Sequence, residues 1–474
     1  MLFSSLEFLY LFLPVTVILY FLSPKRARNA VLLVMSLIFY AVGEPVYLLL
    51  MVATIVIDYS FGIFIALAKS KGNKSAAKLL LIFAIVLNIS SLVFFKYYDL
   101  IASTISHIIT PVNPLYLALP IGISFYTFQA LSYVIDVYKN TVEPQKNIIS
   151  FGTYVTLFPQ LIAGPIVKYT DVDKALTSRK ENIAHASDGA IRFCIGLGKK
   201  VLLANPAGQM WDTLREINEI EPTAFGAFLS LLFFAFQIYF DFSGYSDMAI
   251  GLGKIFGFDF PENFNYPYTA KSITDFWRRW HITLSSWFRE YVYISLGGNR
   301  CSRGRMYFNL FCVWSLTGLW HGASWNFLLW GIYFFVVLML EKAFLLRSLQ
   351  KLPSLFQHIY ALALILIGWL IFVCDGSDGL ALSDGIRIFG NCFGIGVSSF
   401  ISKRALYELL RNLPLIVIMA VGCTPFPFKF CKNISEKCKT FSPVLKPLFT
   451  VFLLIISTSY LVSSGYNPFL YFRF

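Results

Sequence analysis

The chain has 474 residues, of which 57% are hydrophobic, 18% aromatic and only 14% charged. This composition lies outside that of soluble globular proteins and predicts a membrane protein. The formal charge of +13 sits largely in short basic clusters beside apolar runs, as at residues 25–28 and 69–78. Such clusters are typical of cytoplasmic loops, so we expect contact with membrane lipids and no nucleic-acid partner.

Several kinds of chemistry lack their sequence signatures. The eight cysteines are scattered without a C-x-x-C pair, which favours neither a disulfide framework nor a zinc site. The sequence also has no P-loop, no dinucleotide fingerprint, no G-x-S-x-G elbow and no metal-ligand spacing. We therefore expect no bound metal or cofactor, and any catalysis has to rest on histidine and oriented polar groups.

Apolar runs can be counted as membrane spans, because a bilayer core of about 30 Å needs about 20 residues of helix. The run at 306–341 would be about 54 Å long as one helix, well beyond the bilayer core. It must therefore break, and residues 322–324 (Gly-Ala-Ser) are the natural place. About eleven spans result, at roughly 3–22, 30–43, 46–68, 79–98, 115–137, 223–256, two within 306–341, 357–374, 411–428 and 446–464.

The basic loops predict the orientation of these spans. Residues 23–29 and 69–78 carry the positive charge after the first and third spans, which places these loops in the cytoplasm and the N-terminus outside. No polar stretch is long enough to bury a core of its own, and no internal repeat is evident. We expect an all-α polytopic protein with a single membrane domain over residues 1–474.

Three segments are less regular. Residues 148–168 and 189–206 contain Pro, Gly, Arg and Lys within apolar sequence. Broken helices of this kind are tolerated where protein or a water-filled cavity covers the backbone, so we expect the functional cavity here. Residues 274–296 mix arginines with tryptophans, which is typical of one helix lying at the membrane interface. A Gly-rich loop is expected around 375–400.

His321 is the strongest candidate for chemistry. It lies between Gly318 and Gly322, in a stretch without a charged residue until Glu341. A titratable group at membrane depth is costly and is a functional candidate by default. The plainer alternative is a neutral histidine that bonds a neighbouring helix. A histidine with a pKa near neutral can accept the proton of a hydroxyl as it attacks a carbonyl, which is general-base catalysis of acyl transfer.

Two further groups are weaker candidates. His281 is expected to share a helix face with Trp277 by the i, i+4 rule, and an interfacial role explains it equally well. Asp241 belongs to a polar and aromatic patch at 239–247 whose Ser and Tyr hydroxyls are available donors. Because buried carboxylates need donors, a structural network is the simpler role for Asp241.

The sequence resembles the membrane-bound O-acyltransferase family, specifically its bacterial alginate O-acetyltransferase branch. The matching stretches lie mostly within residues 120–345, followed by C-terminal spans at 357–464. They are Ile123 to Gln129, Phe158 to Ile166, Tyr239 to Gly251, Phe260 to Phe264, Asp275 to His281 through Arg300, and Leu319 to Gly331.

This resemblance implies a ring of tilted helices around a central funnel, with His321 as the catalytic histidine and His281 as a second histidine in the same funnel. Trp320, Trp325, Asn326, Asp241 and Trp277 are then expected to bind substrate around them. The resemblance also implies an acyl thioester donor, acetyl-CoA or an acyl carrier, that enters from the cytoplasm. Whether an acyl-histidine intermediate forms stays open.

The implied acceptor is an exported cell-surface polysaccharide such as alginate, acetylated at the inner membrane and handed on by an extracytoplasmic partner acetyltransferase. Peptidoglycan O-acetylation and D-alanyl transfer to teichoic acid are alternatives, and a transporter or flippase is an alternative of another class. The chain departs from many relatives at Phe334-Phe335, where they carry His-Gly, and at residues 372–375, where they carry an arginine. These departures bear on acceptor identity and partner docking.

Overall fold

The computed structural model describes residues 1–109, 111–179, 181–376, 380–437, 442–468 and 470. Over these residues the secondary structure is helical, apart from one isolated bridge between Thr223 and Ser399. The prediction of an all-α polytopic membrane protein is confirmed. The described chain forms two compact units, residues 1–193 with 245–261 and residues 194–244 with 262–474.

The first unit is built around long helices packed against short, broken ones. Its predicted irregular segment at 148–168 is two short helices separated at Leu157. The helices are α1 (Leu13–Leu22), α2 (Arg28–Gly43), α3 (Leu48–Ser70), α4 (Lys74–Ile108), α5 (Ile123–Lys139), α6 (Ile148–Thr156), α7 (Phe158–Leu161), α8 (Tyr169–Ser178) and the start of α9 (Ile183–Gly198).

The second unit contains the two histidines of interest. The long helix α11 contributes residues to both units. The helices are α10 (Asn205–Ile220), α11 (Ala224–Ile255), α12 (Ile273–Trp277), α13 (Ile282–Trp287), α14 (Arg303–His321), α15 (Trp325–Leu340), α16 (Leu346–Leu349), α17 (Ser354–Val373), α18 (Leu382–Cys392), α19 (Lys403–Arg411), α20 (Leu413–Gly422), α21 (Phe426–Lys437) and α22 (Ser442–Ser463).

Within the described residues, seven helices are long and apolar enough to cross a membrane, or eight if the bent pair α19 and α20 is one span. The sequence predicted about eleven. The other three predicted spans are helices that are short or carry polar residues, at Phe8–Leu22, Ile123–Lys139 and Arg303–His321. Counting spans by the length of apolar sequence includes these helices, because the apolar sequence continues beyond the helix into the neighbouring turns.

Two other sequence predictions need correction. The segment 274–296 is not one interfacial helix, because α12 ends at Trp277 and α13 begins at Ile282. The Gly-rich segment at 375–400 contains a helix, α18, whose first turn is capped by Asp384 accepting from the Ala381 N–H at 3.0 Å. The break predicted at residues 322–324 is confirmed, since α14 ends at His321 and α15 begins at Trp325.

The crossing of α14 and α15 places His321. Gly318 and Gly331 face each other where the helices meet, and a Cβ atom at Gly318 would overlap the carbonyl oxygen of Phe327. A Cβ atom at Gly331 would likewise overlap the carbonyl oxygen of Trp314. Small residues allow such close approach of helices in a membrane, and here they bring His321 at the end of α14 against α15.

This crossing makes a prediction for two glycines on the same helix. Gly318→Ala should destabilise the protein by about 1–3 kcal/mol, because the backbone contact has to open. Gly304→Ala is the matched control, since nothing lies within 4 Å of a Cβ atom there, and it should be neutral or stabilising by up to about 1 kcal/mol. Thermal unfolding in detergent measures both; equal melting temperatures for the two variants would contradict the close crossing.

Candidate active site

The His321 side chain is buried at the C-terminal end of α14, with 5% of its surface exposed. Its imidazole packs edge-on against the rings of Trp330 and Phe372, with centroid separations of 5.0 and 5.4 Å. The adjacent Trp320 ring lies 5.1 Å away. Because Gly322 continues in an extended conformation, the helix stops directly after the imidazole.

A small cavity of about 20 Å³ borders His321, which is room for about one water molecule. The walls come from α11, α14, α15, α17, the segment between α12 and α13, and Leu470. The lining residues are Ile238, Asp241, Phe242, Trp280, His321, Trp330, Trp369, Phe372 and Leu470. Apart from Asp241 and His321 they are apolar or aromatic, so a polar group entering here meets few competing partners.

His281 lies close to the same cluster. Its ring packs at 4.7 Å from Phe242 and 5.8 Å from Trp320, so both histidines contact the Trp320 indole. His281 does not extend a helix from Trp277, because its backbone is left-handed at φ 44° and ψ 54°. The prediction that these two side chains share a helix face is therefore wrong.

The left-handed backbone at His281 is costly for a non-glycine residue, at about 1–3 kcal/mol. The neighbouring hydrogen bonds maintain it, since the N–H of Ile282 donates to the Asn263 carbonyl at 3.0 Å and His281 Nδ1 lies 3.0 Å from Asn263 Oδ1. Burial lowers the pKa of His281 well below its usual range, and the nearby His321 lowers it further. Both effects favour the neutral form of the His281 imidazole.

Asp241 is buried in α11 and borders the cavity. The sequence pointed to the Ser and Tyr hydroxyls of its own patch as donors, and the structure adds partners from distant parts of the chain. The carboxylate pairs with Lys200 at 2.7 Å and accepts from the N–H of Leu470 at 3.1 Å. Lys200 also donates to the carbonyl of Pro468, so this ion pair contacts Pro468 as well as Leu470, which lines the cavity.

Three of the remaining predicted substrate-binding residues are tryptophans, and they lie in different surroundings. Trp320 is buried between the histidines, as described above. Trp277 is buried against Trp314, with a centroid distance of 4.7 Å, and supports the aromatic core rather than the cavity wall. Trp325 is 57% exposed at the start of α15 and does not line the cavity.

Asn326 contributes indirectly. Its amide donates to the carbonyl oxygen of Ile371 at 2.7 Å and to that of Phe372 at 3.3 Å. These bonds tie the start of α15 to the end of α17, where Phe372 packs on His321. Phe334, one of the departures from the family pattern, is fully buried against Trp277 and Trp330.

Sequence reasoning missed four contributors to this site, namely Lys200, Asn263, Glu341 and Leu470. Glu341 is buried and accepts from the N–H groups of Ile273 and Thr274 at 2.7 and 2.8 Å. Its carboxylate thus caps α12, which leads into the Trp280–His281 turn. The sequence signal available for Glu341 was its position as a lone acidic residue at the end of an apolar run.

The cavity itself is not lined by residues 148–168 or 189–206, where the sequence predicted it.

The chain is similar to known proteins over most of its length. A model described as the membrane-bound O-acyltransferase family matches residues 144–376, which include both histidines. A probable alginate O-acetylase of Azotobacter vinelandii is 41% identical over 80% of this chain and 76% of its own length. A probable alginate O-acetylase of Pseudomonas putida is 36% identical, with both chains covered in full.

The chain belongs to the membrane-bound O-acyltransferase family. It is therefore a multi-pass membrane enzyme that transfers acyl groups, and its seven or more apolar helices among the described residues fit that family. Another relative, a peptidoglycan O-acetyltransferase of Helicobacter pylori, is 33% identical over the whole of this chain. Family membership implies an acyl donor as a substrate.

Proposed function

We propose that this acyltransferase is an O-acetyltransferase of a cell-surface polysaccharide such as alginate, with His321 as the general base. The observation that carries the proposal is a buried imidazole bordering a small apolar cavity, with a second buried histidine against the same indole. The names of the alginate relatives, which align with most of the chain, support the acceptor.

The proposed reaction joins an acceptor hydroxyl to the acyl carbonyl of a thioester. The hydroxyl oxygen attacks the carbonyl carbon, the C–S bond breaks, and the hydroxyl proton passes through His321 to the departing thiolate. General-base assistance of this kind contributes about 10²–10⁴-fold in rate.

The proposed orientation follows from the loop charges. The basic loops at 23–29 and 69–78 would face the cytoplasm, where the thioester donor, acetyl-CoA or an acyl carrier, is available. The N-terminus would then lie outside the inner membrane. The acyl group would leave on the outer side toward an exported glycan, with an extracytoplasmic acetyltransferase as the partner that completes the transfer. One domain over residues 1–474 would carry these steps.

Peptidoglycan O-acetylation is the second candidate. The observation that favours it is the peptidoglycan O-acetyltransferase of Helicobacter pylori, which aligns with the whole chain. Both candidates use the same donor and the same base and differ in the acceptor. A teichoic acid D-alanyltransferase of Bacillus subtilis aligns with only 54% of this chain, which makes D-alanyl transfer the weaker alternative.

Purified protein in liposomes, supplied with acetyl-labelled thioester, tests the proposal. We expect thioester cleavage that depends on the protein, and label on alginate oligosaccharides when these are supplied with the partner transferase. Label on peptidoglycan fragments instead would assign the second acceptor. If the thioester stays intact and an unmodified solute crosses the liposome membrane, the proposal is wrong and the protein is a transporter.

A further inference from the structure

The hydrogen bonds around Asn263 determine which ring nitrogen of His281 carries the proton. Three polar groups meet Asn263 Oδ1: His281 Nδ1 at 3.0 Å, Thr283 Oγ1 at 2.9 Å and the Thr283 backbone N–H at 3.3 Å. A backbone N–H can only donate, so the amide atom that faces it must be the oxygen. His281 Nδ1 therefore has to be the donor in its own bond with that oxygen.

A neutral imidazole with its proton on Nδ1 carries a bare lone pair on Nε2. The side chain of His281 is 1% exposed, and Nε2 is buried without a hydrogen-bond partner in the described part of the chain. A buried acceptor without a donor is unfavourable. The ring nevertheless stays in place, held by Asn263 and by the rings of Phe242 and Trp320.

We propose that Asn263 is a positioning residue that locks His281 in the Nδ1–H tautomer, so that Nε2 accepts a hydrogen bond from a non-reacting hydroxyl of the acceptor substrate. The substrate class is a hydroxyl-bearing acceptor, and this part rests on the proposed function. His281 then orients the acceptor through this hydroxyl, which keeps its proton, while His321 takes the proton of the reacting hydroxyl. Asn263 itself touches neither substrate nor reacting atoms.

Several features make Asn263 suitable for this role. Its side chain is fully buried, so water does not compete for Oδ1. Its backbone carbonyl also accepts from the Ile282 N–H at 3.0 Å, which fixes the amide relative to the left-handed turn at His281. Asn263 and His281 are 18 residues apart in the chain, and both lie in stretches that resemble the family.

The test is ¹⁵N NMR of histidine-labelled protein in nanodiscs, because protonated and bare ring nitrogens resonate far apart. Loss of a signal set in His281→Gln assigns the resonances. In the wild-type protein we expect Nδ1 protonated and Nε2 bare. Asn263→Leu removes the acceptor and should give a mixture of tautomers or the Nε2–H form, whereas Asn263→Asp keeps an acceptor oxygen and should retain the Nδ1–H form.

Kinetics give the second readout. Asn263→Leu should lower kcat for acyl transfer by about 10-fold or more with a smaller change in KM, and Asn263→Asp should recover much of the loss. Asn309→Leu is the matched control: Asn309 is equally buried and donates to the Leu296 carbonyl at 3.2 Å, so its loss affects stability without changing the His281 tautomer.

The NMR result does not depend on any substrate, so the inference and the proposed function can fail separately. A wild-type Nε2–H tautomer would overturn the role of Asn263 even if acyl transfer is confirmed. An Nδ1–H tautomer retained in Asn263→Leu would also overturn it. If Asn263→Leu does not fold, the wild-type spectrum alone still decides the tautomer.

Discussion

Replacement of His321 by alanine is expected to abolish acyl transfer while the protein stays inserted and folded. The imidazole borders the cavity and is enclosed by Trp320, Trp330 and Phe372, whereas the nearby His281 does not line this cavity. Loss of the His321 imidazole therefore removes the proposed base from the cavity wall. We expect the rate of thioester cleavage to fall by about 10²–10⁴-fold. The measurement is release of free thiol from an acetyl thioester by protein in liposomes.

Two further variants separate chemistry from packing. His321→Gln keeps a polar side chain with hydrogen-bonding capacity but cannot accept a proton at neutral pH, so it should be nearly as inactive as His321→Ala. His107→Ala is the matched control, because His107 is an exposed histidine near the end of α4, and it should retain full activity. Retained acetylation in His321→Gln would assign the base elsewhere.

Removal of one partner of the Lys200–Asp241 ion pair is expected to cause the largest loss of stability. Both side chains are almost fully buried and their charged atoms are 2.7 Å apart. Asp241→Leu leaves the ammonium of Lys200 without its carboxylate in an apolar setting, which typically costs about 3–5 kcal/mol. Thermal unfolding in detergent, followed by circular dichroism, measures the loss.

The double variant Lys200→Met with Asp241→Leu tests the cause. Replacing a buried ion pair by apolar side chains of similar size is often neutral or stabilising, so the double variant should recover most of the stability that Asp241→Leu loses. The exposed Lys432–Glu436 pair, at 3.9 Å, is the control, and Glu436→Gln should cost no more than about 0.5 kcal/mol. A double variant as unstable as Asp241→Leu would show that shape, rather than charge, matters at this position.

Features with a strong local cause could be predicted from the sequence. The break after His321 follows from a run too long for one span, and glycine marks its place. The all-α polytopic fold follows from apolar runs near the bilayer thickness. The helix count differs because Ile123–Lys139 and Arg303–His321 read as spans by pattern but carry polar residues or end early.

Features that depend on tertiary contact could not be predicted in this way. Periodicity placed His281 on the helix of Trp277, whereas the Asn263 contacts hold it in a left-handed turn that ends the helix. The exposure of Trp325 could not be predicted either, because the sequence does not indicate in which direction a tryptophan near a buried histidine faces. The partners of Asp241 lie 41 positions away at Lys200 and 229 positions away at Leu470, beyond the reach of any spacing rule.

The position of Leu470 in the cavity wall has a consequence for biosynthesis. The carboxylate of Asp241 receives the Leu470 N–H only after 229 further residues have been made, which takes roughly 10–50 s at ordinary translation rates. Until then one wall of the cavity is missing, although His321 and its aromatic neighbours are already in the nascent chain. The enzyme therefore cannot assemble its complete site during insertion of the early helices, and chains released before residue 470 would lack one wall of the proposed site of proton transfer.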